Sequence, residues 1–264
     1  MRMRETWERR IERAGQLATA DEAARPLLTF YARLLNLQKD LSEFLRSRPG
    51  WLPSGSLDRD RTTLREGVPA LLQAIAQNGP EPLAVDARQL IEGSEVAIDD
   101  LLLACWHAPS DLQFFAKAVL QPYAQWLAEA GVAPIDRRLA HADNRCPFCG
   151  GMPQVSILQT SGGPLDSGGR ALLCATCLTV WPFRRVLCVH CGEEDERKLG
   201  YFQTPTYRHM RIDACDTCRH YLKSVDLTRL GIAVPIVDEV AGAALDAWAR
   251  EHGYEKIELN LVGL

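Results

Sequence analysis

Eight of the nine cysteines of this chain fall between Cys146 and Cys218, and they fall as four C-x-x-C pairs: Cys146/Cys149, Cys174/Cys177, Cys188/Cys191 and Cys215/Cys218. Two backbone positions between cysteines let both sulfurs of a pair converge on one ion in a tight knuckle, and two knuckles complete a tetrahedral four-thiolate cage. Four knuckles therefore predict two cages. Glycine follows the second cysteine at Gly150 and Gly192. There the chain curls to aim its N–H groups at the sulfurs, and the curl needs a left-handed residue that glycine adopts without strain. Such N–H···S contacts offset the negative charge of the cage and tune a redox metal. Zinc and iron both accept four sulfurs in a tetrahedron, so donor type does not separate them. A cage closed by four protein ligands keeps no open position for a water nucleophile, which excludes zinc hydrolysis of the usual kind. On donors alone, the simplest reading is a structural staple for small folds that lack a core of their own. Iron in the same cages adds electron transfer or redox sensing as a second reading. Thiol–disulfide exchange is less favoured, because no pair stands out from its three siblings.

Other reactive residues weigh less. His190 sits inside a knuckle and His220 follows Cys218, but eight cysteines already fill two cages, and both histidines read as surface residues. Cys105 lies in the apolar run Leu101 to Trp106 and reads as a small buried hydrophobe. Arg184-Arg185, beside Trp181 and Phe183, is by default solvated or packed, with a partner-anchoring patch as the alternative. Glu193 to Glu196 reads as a solvated turn. Neither a P-loop, nor a dinucleotide glycine motif, nor a Ser/His/Asp order is present.

The knuckles sit in a repeat. In each copy a knuckle leads through two strand-like runs to a second knuckle and out along a third strand. The first copy runs Cys146–Cys149, Gln154 to Gln159, a Gly/Ser/Pro turn over 160–169, Arg170 to Leu173, Cys174–Cys177, then Leu178 to Trp181. The second runs Cys188–Cys191, Leu199 to Gln203, Arg208 to Ala214, Cys215–Cys218, then Tyr221 to Val225. The knuckles are separated by 24 residues in one copy and 23 in the other. Copies this alike predict that each closes its own cage.

Upstream, from Glu5 to about Glu129, the period is helical. Phe30, Leu34, Leu37, Leu41, Phe44 and Leu45 form one apolar face, with Pro26 in the first turn and Pro49-Gly50 at the end. Val68 to Ile75 predicts a second helix closed by Asn78-Gly79-Pro80. Leu83 to His107 predicts a third, broken by Ala108-Pro109-Ser110-Asp111, and Asp111 to Ala130 a fourth that contains Pro122. The texture changes at Gly131 to Pro134, and 136–145 reads as a connector. After the repeat, Val237 to Glu251 predicts a helix stopped by His252-Gly253, and Ile257 to Val262 a short strand.

The chain has 264 residues, 47% of them hydrophobic and 24% charged, a globular composition with room for more than one domain. The charged opening, Met1 to Arg10, predicts no signal peptide, and no apolar run nears the roughly 20 residues that span a bilayer. Both point to a cytoplasmic protein without membrane insertion, where C-x-x-C pairs more often hold metal than form disulfides. The formal net charge is −4. Between His141 and Pro235 eleven Lys/Arg oppose nine Asp/Glu, so two cages of formal charge −2 would leave the module at about −2. That is no surface for nucleic acid.

At these residues the chain resembles the bacterial formate dehydrogenase accessory protein family, FdhE. The resemblance rests on Cys146-Pro147-Phe148-Cys149-Gly150-Gly151-Met152-Pro153, on Cys174/Cys177 with Trp181 four residues on, and on Arg185 leading to Cys188. Cys215/Cys218 with Tyr221-Leu222-Lys223 also matches, as does the segment around Leu245 and Gly253-Tyr254. It implies an α+β protein: a helical bundle over 1–140, then two tandem rubredoxin-like modules over 141–186 and 187–264, the second carrying the C-terminal helix. It further implies two iron ions held by Cys146, Cys149, Cys174, Cys177, Cys188, Cys191, Cys215 and Cys218. The implied role is non-enzymatic: a cytoplasmic maturation factor that binds the catalytic subunit of respiratory formate dehydrogenase before export, its client surface largely in the helical half. A zinc-ribbon module with structural zinc is the competing reading, and an electron-transferring enzyme a third. Monomer and homodimer are both open at this stage.

Overall fold

The computed structural model describes residues 6–108, 113–137, 143–160 and 169–264. Seven described helices precede the first C-x-x-C pair: α1 (Trp7–Ala20), α2 (Arg25–Arg46), α3 (Leu57–Glu66), α4 (Val68–Asn78), α5 (Glu81–Glu92), α6 (Glu95–His107) and α7 (Phe114–Ala130). Helix α2 is the spine. Leu28, Tyr31, Leu34, Leu35, Leu41 and Leu45 recur on its buried face, with Phe30, Leu37 and Phe44 at the margin, and α1 and α7 pack along it. The expected single helix from Leu83 to His107 is two. Gly93 is extended, and the Ser94 side chain accepts from Ala97 N at 3.2 Å, so a new helix begins where the apolar period alone runs on. The expected caps at 109–111 and the expected start of the last helix at Asp111 lie outside the described residues. Pro122 is accommodated within α7.

The remainder is mixed. Strands β1 (Pro153–Gln159), β2 (Gly169–Cys174) and β3 (Val180–Phe183) come from the first copy, and β4 (Leu199–Phe202), β5 (Met210–Cys215) and β6 (His220–Asp226) from the second. The fold class is α+β. Each copy is an antiparallel meander, and the two join in one sheet of order β3-β2-β1-β6-β5-β4. The seam is parallel: Ser156, Ile157 and Leu158 of β1 face Ser224, Val225 and Asp226 of β6. The copies are thus placed head to tail, with the last strand of one beside the first of the other. Most of the 160–169 turn lies outside the described residues.

After the sheet, the expected helix from Val237 to Glu251 is again two, α8 (Pro235–Ala241) and α9 (Ala243–Glu251). Gly242 divides them where a Cβ would stand 2.9 Å from Met210 Cε of β5, so the break lets the pair lie close on the sheet. The expected strand from Ile257 to Val262 is replaced by turns; only β7 (Glu255–Lys256) pairs, in parallel with His220 and Tyr221 of β6. Among the described residues no helix is long and apolar enough to cross a membrane.

Ion pairs fasten the halves, Lys117 of α7 with Glu258 at 3.0 Å and, more deeply buried, a cluster at Asp238. Arg13 of α1 donates to both carboxylate oxygens of Asp238 in α8, at 2.9 and 2.5 Å, and His209 Nε2 and Val234 N lie 2.9 and 2.8 Å from the same group. Burial pushes the Asp238 carboxyl up, but His209 and Arg13 outweigh burial and hold it below the ordinary value. A group depressed in the folded state contributes stability above its unfolded pKa, about 3.9, and loses it as pH falls through the lower folded value. An Arg13→Met variant leaves the buried carboxylate short of its main partner and is expected to cost about 3 kcal/mol at pH 7. The gap to the parent should narrow on acidification below about pH 4. Urea melts at pH 7 and pH 3 check both the cost and its sign.

Candidate metal centres

The structure gathers the eight knuckle cysteines into two groups, Cys146/Cys149/Cys174/Cys177 and Cys188/Cys191/Cys215/Cys218, each belonging to one copy of the repeat. In the first group Cys146 and Cys177 Sγ are 3.5 Å apart and Cys149 and Cys174 Sγ 3.4 Å; in the second, Cys188–Cys218 and Cys191–Cys215 are both 3.7 Å. A tetrahedron of sulfurs at about 2.3 Å from a central ion has edges of about 3.8 Å. The sulfurs are far too distant for disulfides, whose S–S bond is about 2.05 Å, and all are free. The donor set fits a divalent tetrathiolate centre.

Three of the four knuckles close with the same bond. Gly150 N donates to Cys146 O, Gly192 N to Cys188 O and Arg219 N to Cys215 O, at 2.8 to 3.0 Å. The residue after each second cysteine is left-handed: φ is 72° at Gly150, 55° at Leu178, 77° at Gly192 and 60° at Arg219. The glycines were legible as the residues this curl favours. Leu178 and Arg219 were not, since neither residue type signals a positive φ. Arg219 is held there by its surroundings: its guanidinium donates to His252 O at 2.5 Å and stacks over the Tyr254 ring at 3.9 Å.

The first cage is packed into the core. Its four cysteines are 0–3% exposed and continuous with the buried cluster of the helical half. A Cβ on Gly151 would meet Cys174 Sγ and Thr176 Oγ1 at 3.0 Å and Cys149 Sγ at 3.3 Å, so the backbone itself forms one wall. Thr176 N donates to Cys174 Sγ at 3.3 Å, and the Thr179 hydroxyl lies 3.1 Å from Cys177 Sγ. From the helical side, Gln121 Nε2 of α7 donates to Ala175 O within the knuckle, and Gln38 Nε2 of α2 donates to Gln121 Oε1. Burial pushes the Cys174 and Cys177 thiols well above their usual range. Four sulfurs cannot all ionise in such a place unless a cation replaces their protons, which is what a resident metal does.

The second cage is open to one side. Cys188 and Cys215 are buried, Cys218 is half-buried and Cys191 is exposed. Cys191 N lies 3.5 Å from Cys188 Sγ. His190 and His220 stack above it with centroids 3.6 Å apart and planes 7° apart, near Cys218. Imidazole lone pairs lie in the ring plane, so two parallel stacked rings do not aim at a common ion, and the pair stands beside Cys218 without forming a third metal site. Cys105 is a ligand of neither cage: it is buried in α6 within the apolar core, on a small cavity that Ala175 and Thr176 of the Cys174/Cys177 knuckle also line.

One feature with no sequence signal surrounds Lys223. Its ammonium is fully buried, 2.8 Å from Glu239 Oε1 and 2.5 Å from Asp246 Oδ2. Lys256 Nζ meets the same Glu239 oxygen at 2.5 Å, and Gln154, Asn260 and Tyr221 complete the bonding of the two acids. The group ties β1, β6, α8, α9 and β7 together beneath the sheet.

A helical bundle fused to a sheet that carries two closed four-sulfur cages defines a protein of tetrathiolate metal centres. Residues 186–262 match the family model "FdhE, C-terminal domain". A relative from Aquifex aeolicus, "Protein FdhE homolog", is 36% identical over 58% of this chain and 52% of its own length. One of the same title from Pseudomonas putida is 27% identical over 97% of this chain and 86% of its own. The match spans 60% of a Shewanella oneidensis relative, so the first two relatives are covered by about half to three-fifths of their length. The crystal structure of the FdhE protein from Pseudomonas aeruginosa superposes with a TM-score of 0.71 at 25% identity, covering 97% of this chain and 94% of that one. Over residues 186–262 the chain matches the FdhE C-terminal domain, and over nearly its whole length it is similar to FdhE proteins in sequence and fold.

Proposed function

We propose that this chain is a non-enzymatic maturation factor for respiratory formate dehydrogenase, that it binds the catalytic subunit in the cytoplasm before export, and that its eight knuckle cysteines hold two iron ions. The observation that carries the reading is similarity to FdhE proteins joined to two cages closed by their own four sulfurs. Such cages bind and hold; they leave no position at which substrate could be activated. The bound ion would supply charge compensation for the buried thiolates and, if iron, a one-electron couple. The chain's own residues do the rest: the knuckle amides and the threonine beside Cys177 place donors at sulfur, and α7 presses on the first knuckle. We assign the client surface to the helical part, 1–140, and the metals to modules at 141–186 and 187–264.

The test is co-purification of the formate dehydrogenase catalytic subunit with the intact chain and with Cys→Ser variants of either cage. Loss of the subunit and of formate dehydrogenase activity is expected. Unchanged binding and activity would sink the role of the metals. A second reading has one observation in its favour: the first cage lies wholly inside the core, as structural zinc does. Elemental analysis with a visible spectrum separates them, since iron tetrathiolate is coloured and zinc is not. Salt-sensitive nucleic-acid binding at physiological ionic strength would instead support a ribbon of the nucleic-acid kind.

A further inference from the structure

The two cages share ligands, spacing and knuckle geometry, and they differ in what surrounds them. Around the first, every sulfur is buried, Gly151 closes one wall and Gln121 seals the knuckle from the helical side. Around the second, the outward pair is Cys191, exposed, and Cys218, half-buried. The inward pair, Cys188 and Cys215, lines a cavity of about 350 Å³ that Cys191 and Cys218 do not line. The second cage therefore has one ligand exposed to solvent and two on a cavity, and the first has neither.

The cavity has a definite chemistry. Arg170, Arg185 and Arg211 line it, opposed by Asp213 and Glu196, and Tyr201 and Val186 are exposed at its rim. Arg170 and Arg211 hold the same place in the two copies, four residues before the third cysteine, and both turn to this one cavity. Arg170 is anchored: its Nε donates to Ser156 Oγ at 2.9 Å and its Nη1 to Leu187 O at 3.1 Å. Arg211 is less committed. Its Nε lies 2.7 Å from Asp213 Oδ1, and its guanidinium stands 5.2 Å over the Tyr201 ring at the rim. A cavity of this size and polarity receives a small anionic group, or a side chain of a partner, and steers it by charge.

We infer that the second centre is a ligand-exchange site, at which a thiolate donor approaching through the arginine-lined cavity takes a place on the bound metal and Cys191 gives its place up. The exchange is balanced. One sulfur–metal bond forms and one breaks, the metal keeps its oxidation state, and the number of bound thiolates is unchanged; the freed Cys191 thiolate faces water and takes its proton there. A bound ion of this kind would accept a fifth ligand, so an entering donor would not need a resident sulfur to leave first. Cys188 and Cys215 line the cavity through which a donor would come, and Cys191, which does not line it, is the ligand exposed to water. The first centre, by contrast, stays shut. The inference rests on both centres holding metal and does not depend on the formate dehydrogenase client.

The full chain, zinc-loaded at two ions per molecule, tests it with glutathione as the thiolate probe and a chromophoric zinc chelator as acceptor. One ion is expected to leave about 100-fold faster than the other, because the second cage opens locally and the first only with its surrounding core. Brief iodoacetamide treatment followed by peptide mapping should label Cys191 before any other knuckle cysteine. Glutathione should accelerate the fast phase, and Arg211→Glu should cut that acceleration about tenfold while leaving glutathione-free release unchanged, since a rim charge acts on the approach of the donor; Arg211→Lys should restore it. A ten-residue cysteine peptide in place of glutathione separates the two sources of donor: faster release with the peptide assigns a partner protein, faster release with glutathione a small thiol. Equal release of both ions, first labelling at Cys146 to Cys177, or acceleration indifferent to Arg211→Glu overturns the inference. Failure of client co-purification would leave all of these readouts intact.

Discussion

Replacing Lys223 with methionine is expected to lower the melting temperature by about 10 °C, a loss of roughly 3–5 kcal/mol for a chain of this size. The residue lies in a strand whose interior is entirely buried, and its ammonium is 0% exposed. It is nonetheless charged: burial works to deprotonate it, but Glu239 and Asp246 outweigh burial and raise its pKa. Glu239 answers in kind, held at about 2 against its own burial by Lys223 and Lys256. Two ammoniums and two carboxylates make a neutral set, so removing one cation strands a buried negative charge, which costs far more than the pair contributes against an apolar substitute. The double variant Lys223→Met/Asp246→Asn restores neutrality. It should be more stable than the sum of its single changes by about 1–3 kcal/mol, the coupling expected of residues in one network. Thermal melts followed by circular dichroism check this, with Arg197→Ala, an exposed ion pair, as the change that should do nothing. Strict additivity in the double variant would show that the group is not one network.

What could be read from the chain beforehand follows from how local each cause is. A knuckle needs only its own two cysteines and the residue after them, so the number of cages and their division between copies are written in the spacing. Helix α2 likewise carries its face within itself. The splits at Gly93-Ser94 and at Gly242 were missed because an apolar period runs straight through them; the first is decided by a side-chain cap, the second by the approach of Met210 from another strand. The seam between β1 and β6 had no local signal at all. Both strands are buried nearly throughout, and such strands do not declare which neighbour they take. Nor does a lysine between apolar residues announce buried partners on helices that follow it. The difference between the cages has the same origin: identical motifs are placed in unlike surroundings by contacts more than fifty residues away, such as Gln121 on Ala175.

That difference sets the largest effect expected of any single change. Cys149→Ser removes a fully buried ligand of the first cage, whose sulfurs are part of the core that joins the helices to the sheet. Binding of a structural tetrathiolate ion is worth on the order of 10 kcal/mol or more. Whole domains are stable by only about 5–15 kcal/mol. Without the ion, buried thiolates would have to take up protons and Gln121 would lose the fixed carbonyl it bonds, so the loss passes from the knuckle to α7 and on to Gln38 of α2. The variant should accumulate as a partly unfolded chain, with loss of near-ultraviolet dichroism and of the cooperative melt, and the tryptophans of the helical half should report it. Cys191→Ser, at the exposed corner of the second cage, should lower the metal content toward one ion yet keep a cooperative transition within a few degrees of the parent, the shift expected of about 1–2 kcal/mol. Matched melts of the two variants, with metal counted in each, decide the matter. If Cys191→Ser unfolded the chain as thoroughly as Cys149→Ser, the second cage would be as much a part of the core as the first, and its exposure would have no bearing on its role.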